Sequence, residues 1–562
     1  MIGPEPHERS AAIPKPMILK ELPEQHSAPS ICIVGSGPVG MSLALEFDRL
    51  GRDVLLVESG DTFLDRQIAE ASRAEIVDPR RHAEMSLTVC RALGGTSWTW
   101  GGRCVPYDDI DFAQRAYVGD ASWPVQHQTI SPWYKVAAEY LLCGNDTFRM
   151  SRAQPLTDGL TLDYVERWAT NSRLINVHRD ALVASQRIRI ILRTTVVGLN
   201  VTSDGSRVDS LDVVTPSGQR TIKALHFILA AGGIETTRML LWFQQKHAGH
   251  FGGIDGPLGR YYMGHLSGKI ASIQLEDPAT IADLDFYRDS SGAYYRRRFL
   301  LTEEAQIANK VLNTVFWADN PPFYDASHRS FVLSATFLAL AFPPTGRRIL
   351  SEAIRLAHTG PRPYKLAPHF RNVILGAPGG ALELSRVLRD RFLSRPKKPG
   401  FVVSNKGGRY ALHYHAEQAP NPESRIRLTS EKDAFGEPRA SIDLRYSEQD
   451  VDSALRSHRL LDRALRANNM AHLVYNYSED ELRDRIWEMA ADGYHQIGGA
   501  RMGTDPRRSV VDADLNVHGL ANLSVASSAV FPTGGQANST LLAVAFAMRL
   551  AHRLAAASAQ QT

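Results

Sequence analysis

The chain has 562 residues, 43% hydrophobic and 22% charged, with a formal net charge of +4. That length predicts two or more domains, and the composition is that of an ordinary globular protein. So small a net charge leaves no electrostatic footprint for nucleic acid, and Cys32, Cys90, Cys104 and Cys143 form no CxxC pair that would mark a zinc site or a disulfide framework.

Residues 1–28 are polar and Pro-rich, with no apolar h-region and no twin arginine, and predict a flexible arm on a cytoplasmic protein. Ser30–Val34 then predicts a short buried strand that runs into Gly35-Ser36-Gly37-Pro38-Val39-Gly40. A helical pattern follows to Leu50, and a second strand ends at Glu58, next to Ser59. This is a complete βαβ context for dinucleotide binding. Gly35 permits the tight turn, Gly37 admits a pyrophosphate and Gly40 lets helix and strand close up. The helix start at Pro38 faces the phosphates, and Glu58 is placed for ribose hydroxyls. The motif does not choose between NAD and FAD.

The segment Arg91–Cys104, RALGGTSWTWGGRC, has two Gly-Gly pairs around hydroxyl and aromatic residues. It predicts a wall against a flat tricyclic ring, with Arg91, Gly94, Gly95, Thr96, Ser97, Trp100, Gly101 and Gly102 as contacts. Arg187–Val214 reads as paired strands carrying Val197. Leu225–Leu241 reads as a strand that ends at Ala231 and Gly232 and returns to the first sheet.

The most apolar internal run, Phe331–Phe342, is too short to span a bilayer. Leu382–Leu393 reads as an amphipathic basic helix with a solvated charged face over a local core; a lid or a membrane-touching surface is the other reading. If Leu412–Gln418 is a strand, His413, His415 and Glu417 share one face. That face mimics a metal site without a fourth ligand, so no metal is expected. Tyr414 and Gln418 on the other face are expected to line a substrate cavity, with Gln418 as a polar contact. Finally, Tyr494–Leu554 places His495 and Asn538 on separate Gly-flanked segments, and Asn538 precedes an apolar helix. A histidine suits proton removal near neutral pH, an amide holds a hydroxyl in register, and a helix start stabilises developing negative charge.

Together GSGPVG with Glu58, LGGTSWTWGG, AAGGIETTR, GRYYMGH, PNPESRIRLT and the His495/Asn538 block resemble the glucose–methanol–choline (GMC) family of FAD-dependent oxidoreductases. The likeness is nearest to its bacterial sugar-oxidising, pyranose 2-oxidase-like branch. The resemblance implies an α/β fold. A discontinuous Rossmann-like FAD domain, with a central parallel sheet and a β-meander, would comprise 29–115, 185–265 and 490–556. An α+β substrate domain with a mostly antiparallel sheet would comprise 116–184 and 266–489. It also implies catalysis by His495 with Asn538. Ser527 stands where many relatives have aspartate, and Asn538-Ser539-Thr540 replaces Asn-Pro-Thr beside the flavin. Thr99 stands where covalent relatives carry a flavin-linking histidine, so the FAD is expected to be noncovalent. The implied activity is oxidation of a sugar, glycoside or polyol CH–OH group. The electron acceptor is oxygen, a quinone or a redox protein. A bulky sterol- or aminoglycoside-like alcohol, a catalytically silent flavin-binding subunit and an NAD-dependent dehydrogenase are the competing readings.

Overall fold

The computed structural model describes residues 18–19, 28–342, 344, 359–360, 362–405 and 407–559. The expected arm at 1–28 lies outside them apart from Ile18–Leu19, which pairs with the edge of the first sheet, and Ala28.

That first sheet is parallel and six-stranded, in the order Ile18–Leu19, Ile188–Ile191, Val54–Val57, Ile31–Val34, His226–Leu229 and Leu523–Val525. Its central strands are continuous apolar runs, as a sheet covered on both faces requires. The helices Pro38–Arg49 and Thr540–Ala559 pack against each other over one side. A three-stranded meander, Thr195–Val201, Val208–Thr215 and Gly218–Ile222, leads into the fifth strand. The C-terminal helix is long and apolar enough to cross a membrane by composition, but most of it is buried inside this layer. It is a core helix.

The second sheet is antiparallel, in the order Ala471–Tyr475, His265–Leu275, Arg409–Glu417, Thr314–Asp319, Phe299–Leu301 and Leu160–Thr161. Register sets which side chains share a face. His415 stands opposite Ser267 and Val315, and Glu417 opposite His265, so His265, Ser267, His413 and His415 share one face of the sheet. Two smaller sheets tie the halves together. Arg103–Cys104 pairs with Val165–Trp168, and Glu75–Ile76 pairs with Pro438–Asp443. The site therefore lies between the open face of the antiparallel sheet and the strand ends of the parallel one.

Candidate active site

The parallel sheet ends in a cradle built by glycine spacing. Gly35 has φ +100, and a Cβ there would meet the Ala230 carbonyl oxygen at 2.6 Å. A Cβ on Gly40 would stand 1.8 Å from the Gly35 carbonyl oxygen, whereas one on Gly37 would meet nothing within 4 Å. Turn and packing thus demand Gly35 and Gly40, while the space above Gly37 is open to a ligand. Gly37 caps the helix Pro38–Arg49 with no side-chain hydrogen bond, so the first amides remain available to phosphate oxygens. Glu58 is buried and fixed. Its carboxylate accepts from the Ser36 N–H at 3.0 Å, the Ser36 hydroxyl at 2.6 Å and the Gly60 N–H at 2.7 Å. Gly95 folds onto Gly37, where its Cβ would approach within 2.6 Å. Arg91 donates to Ser72 and Ser59 and pairs with Glu235 at 3.2 Å. Its guanidinium thereby anchors this wall. Trp98 and Trp100 donate to the Leu93 and Ser172 carbonyls. The open space, the bare helix start and the fixed acid fit a dinucleotide.

Opposite the cradle, two histidines bond one carboxylate and a third histidine packs beside them. Asp492 Oδ1 accepts from the Tyr494 N–H at 2.9 Å and the His495 N–H at 3.3 Å. Its Oδ2 accepts from His495 Nδ1 at 3.0 Å, the His265 N–H at 2.8 Å and His265 Nδ1 at 3.3 Å. Gly264 makes this approach possible, since a Cβ there would stand 2.5 Å from the Asp492 Cβ. Burial pushes the Asp492 carboxyl up, but the neighbouring histidines and their hydrogen bonds outweigh it and hold the group well below the usual carboxylate range. The carboxylate therefore fixes the His495 tautomer. Nδ1 carries the proton and Nε2 presents a lone pair, 2.6 Å from the Asn538 amide nitrogen.

His415 completes the group. Its Nδ1 donates to the Gln536 carbonyl at 2.8 Å, which leaves Nε2 as an acceptor with no partner among the described residues. Burial above all, then His265, His495 and Arg103, holds its pKa well below the ordinary value, so the ring stays neutral. The ligand nitrogens of His265, His415 and His495 lie within 4.8 Å of one another. However, His265 and His415 are stacked, with centroids 4.2 Å apart and planes at 29°. They stand side by side rather than converging on one ion, whose bonds would be about 2.1 Å long. The arrangement suits proton handling.

Comparison with known proteins agrees with this geometry. A GMC oxidoreductase family model matches residues 420–547, which hold Asp492, His495 and Asn538. Over those residues the chain is similar to GMC oxidoreductases. A pyridine nucleotide-disulphide oxidoreductase model matches residues 30–78, the glycine cradle. The fructose dehydrogenase large subunit of Gluconobacter japonicus is 34% identical over 144 residues, covering 25% of this chain and 24% of its own. The 6'''-hydroxyparomomycin C oxidase of Streptomyces lividus is 30% identical over 136 residues, 24% of this chain and 23% of its own. The alignments thus span about a quarter of these relatives' length. Formate oxidase of Aspergillus oryzae RIB40 shares the fold, with a TM-score of 0.52 at 16% identity over 95% of this chain and 99% of that one.

Within the chain the sequence-predicted residues separate. His495 and Asn538 meet directly. Gly35, Gly37, Pro38, Gly40, Glu58 and the residues from Arg91 to Gly102 gather at the cradle. Ser527 is buried, and its hydroxyl accepts from the Ala529 N–H at 3.2 Å, capping a short turn. Val197 lies on the meander strand, Ala231 and Gly232 precede the helix Gly233–Lys246, and Ser539 and Thr540 open the last helix.

Gln418 and Tyr414 do not line the site. Gln418 is fully buried, accepting from the Gly264 N–H and donating to the Arg445 carbonyl, both at 2.8 Å. Tyr414 packs in the core against His458. The face that faces the chemistry is the opposite one, where His415 sits. Glu417 on that face is held by Arg115 at 2.6 and 2.7 Å, and His413 bonds Ser267 and stacks on Trp317. Sequence reasoning missed Asp492, His265 and His415 as site residues. Asp492 carries a local signal, since Asp-Gly-Tyr-His has the spacing of an Asx turn that returns a carboxylate to the backbone and ring three residues on.

Proposed function

We propose that the protein is an FAD-dependent oxidoreductase that converts a CH–OH group of a sugar, glycoside or related polyol into a carbonyl. The observation that carries this reading is the His495 Nε2 lone pair, fixed by Asp492 through Nδ1 and paired with Asn538. Gly35, Gly37, Gly40, Glu58 and the wall from Arg91 to Gly102 would hold FAD, which when bound supplies the hydride acceptor. His495 Nε2 takes the hydroxyl proton, and the Asn538 amide holds the hydroxyl oxygen in register as charge develops on it. His415 Nε2 is an acceptor beside the base and receives the hydroxyl on the neighbouring carbon. That second contact favours polyols over simple alcohols.

Anaerobic bleaching of the flavin by sugars, glycosides and alcohols tests the reading, followed by reoxidation with oxygen or a quinone to assign the acceptor. No bleaching by any alcohol, with FAD bound stoichiometrically, would instead support a silent flavin-binding subunit. A cyclic vicinal diol is expected to bleach the flavin about tenfold more efficiently than cyclohexanol, the equivalent of one hydrogen bond of about 1.4 kcal/mol. His415→Asn keeps an N–H for the Gln536 carbonyl but removes the Nε2 acceptor, and should abolish that preference. A preference that survives in His415→Asn refutes the second contact.

The flavin is proposed to be noncovalent. Thr99 offers only a hydroxyl bonded to the Thr96 carbonyl. Burial pushes the nearby Cys90 thiol up to about 11, which leaves little thiolate to attack a ring. Acid precipitation should release all yellow colour into the supernatant; colour retained in the pellet would show a bond. A cytoplasmic location is proposed with it, supported by four unpaired thiols, and recovery from an exported fraction would count against it.

A further inference from the structure

The helix Leu366–Leu388 and its continuation Arg389–Leu393 are turned inside out for a soluble surface. Its inward side carries mostly small and polar residues, with Leu384 packed against the cluster around Phe337. His369 stacks on Phe337 with centroids 4.0 Å apart and meets the Ser334 hydroxyl at 3.1 Å. Asn372 donates to the Ala326 carbonyl and to Ser334. Gly376 and Gly380 press on Phe331 so closely that a Cβ on either would stand 2.9 or 2.2 Å from its side chain. These contacts lay the helix along its apolar neighbour Phe331–Ala341.

The bulky apolar residues are on the other side. Ile374 is 72% exposed, Leu375 70% and Leu393 76%, and Phe370, Leu382 and Phe392 are each more than half exposed. Phe370, Ile374, Leu388 and Phe392 recur at helical spacing, so they form one stripe rather than scattered points. A soluble amphipathic helix has the reverse polarity, and a stripe of this length marks an interaction surface.

The charge around the stripe identifies what covers it. From Leu366 to Lys398 the chain has seven basic residues and two acidic ones. Arg371, Arg386, Arg389, Arg395 and Lys397 are exposed, whereas Glu383 and Asp390 are half-buried, and the Asp390 carboxylate accepts from Arg389. A second copy of the chain, docked about a two-fold axis, would bring this basic patch against itself. A bilayer with anionic headgroups answers both features, with acyl chains for the stripe and phosphates for the arginines.

We propose that the segment Leu366–Lys398 is an interfacial anchor that lays this protein on an anionic lipid surface, with Phe370, Ile374, Leu375, Phe392 and Leu393 entering the acyl boundary. The proposal is independent of the catalytic reading, because no residue of the site takes part. The test is co-sedimentation of the full flavin-loaded chain with vesicles of phosphatidylcholine, alone or with one third phosphatidylglycerol. Binding is expected to the mixed vesicles, to weaken at least about tenfold in high salt, and to be far weaker on phosphatidylcholine alone.

Two variants separate the contributions. Ile374→Ser with Phe392→Ser changes only outward positions and should lower the bound fraction at least tenfold on mixed vesicles. Arg386→Glu with Arg389→Glu should remove the preference for phosphatidylglycerol. Absence of binding at low salt would overturn the proposal, as would binding that both variants retain. A dimer in sedimentation velocity that Ile374→Ser with Phe392→Ser dissociates, with no vesicle binding, would overturn it in favour of a second copy.

Discussion

Replacing His495 by alanine is expected to leave the protein yellow while slowing anaerobic reduction of its flavin by substrate about 10²- to 10⁴-fold, the range for loss of a positioned general base. The colour should persist because the cradle is built from Gly35 to Gly102 and the histidine makes no contact that shapes it. The rate should fall because Nε2 is the one lone pair of the site that a fixed carboxylate aims toward Asn538. His265 Nδ1 is spent on Asp492, and His415 Nδ1 is spent on the Gln536 carbonyl. Burial depresses the pKa of both rings, which disfavours either one holding a proton taken from an alcohol. Stopped-flow absorbance of the flavin band measures the outcome. Undiminished reduction in His495→Ala would remove His495 as the base and leave His415 as the remaining candidate.

The parts of this site that could be read from sequence are those whose geometry is local. Gly35, Gly37 and Gly40 declare a phosphate turn because each is required within a single strand–turn–helix unit, and Glu58 follows one helix later. His495 and Asn538 stood out by their glycine neighbours. The rest depends on long-range register. Alternation along Leu412–Gln418 predicts two faces but not which one meets the chemistry. Packing of Gly534–Asn538 against that strand decides it, and turns His415 inward toward the base while Gln418 serves the backbone of Gly264 and Arg445. His265 reaches Asp492 only because its strand pairs with Arg409–Glu417 and Gly264 permits the approach. Leu382–Leu393 shows the same limit in helical form. A basic amphipathic pattern was legible there. The helix runs from Leu366, however, and the glycines at 376 and 380 dock on Phe331 and force the bulky residues outward.

Asp492→Asn is the sharper test of the mechanism, with an expected loss in reduction rate of about 10³- to 10⁴-fold, comparable to what a wrong histidine tautomer costs in a serine protease triad. The amide oxygen can replace Oδ1 and keep the Tyr494 and His495 N–H groups satisfied. The amide nitrogen then replaces Oδ2 and points donor hydrogens at the His265 N–H and at two imidazoles. His495 answers by accepting at Nδ1, which moves its proton to Nε2 and removes the lone pair from the substrate side. Stability should also fall by about 1–3 kcal/mol, since the buried His265 N–H loses its acceptor. That loss alone would be a structural effect, so the discriminating readout is the double variant. If Asp492 acts by positioning His495, then Asp492→Asn added to His495→Ala costs little further rate, because the proton it orients is gone. Nitrogen NMR of labelled histidine should place the His495 proton on Nδ1 in the native protein and on Nε2 in Asp492→Asn. Additive losses in the double variant, or an unchanged tautomer, would show that Asp492 supports the fold of this segment and not the state of the base.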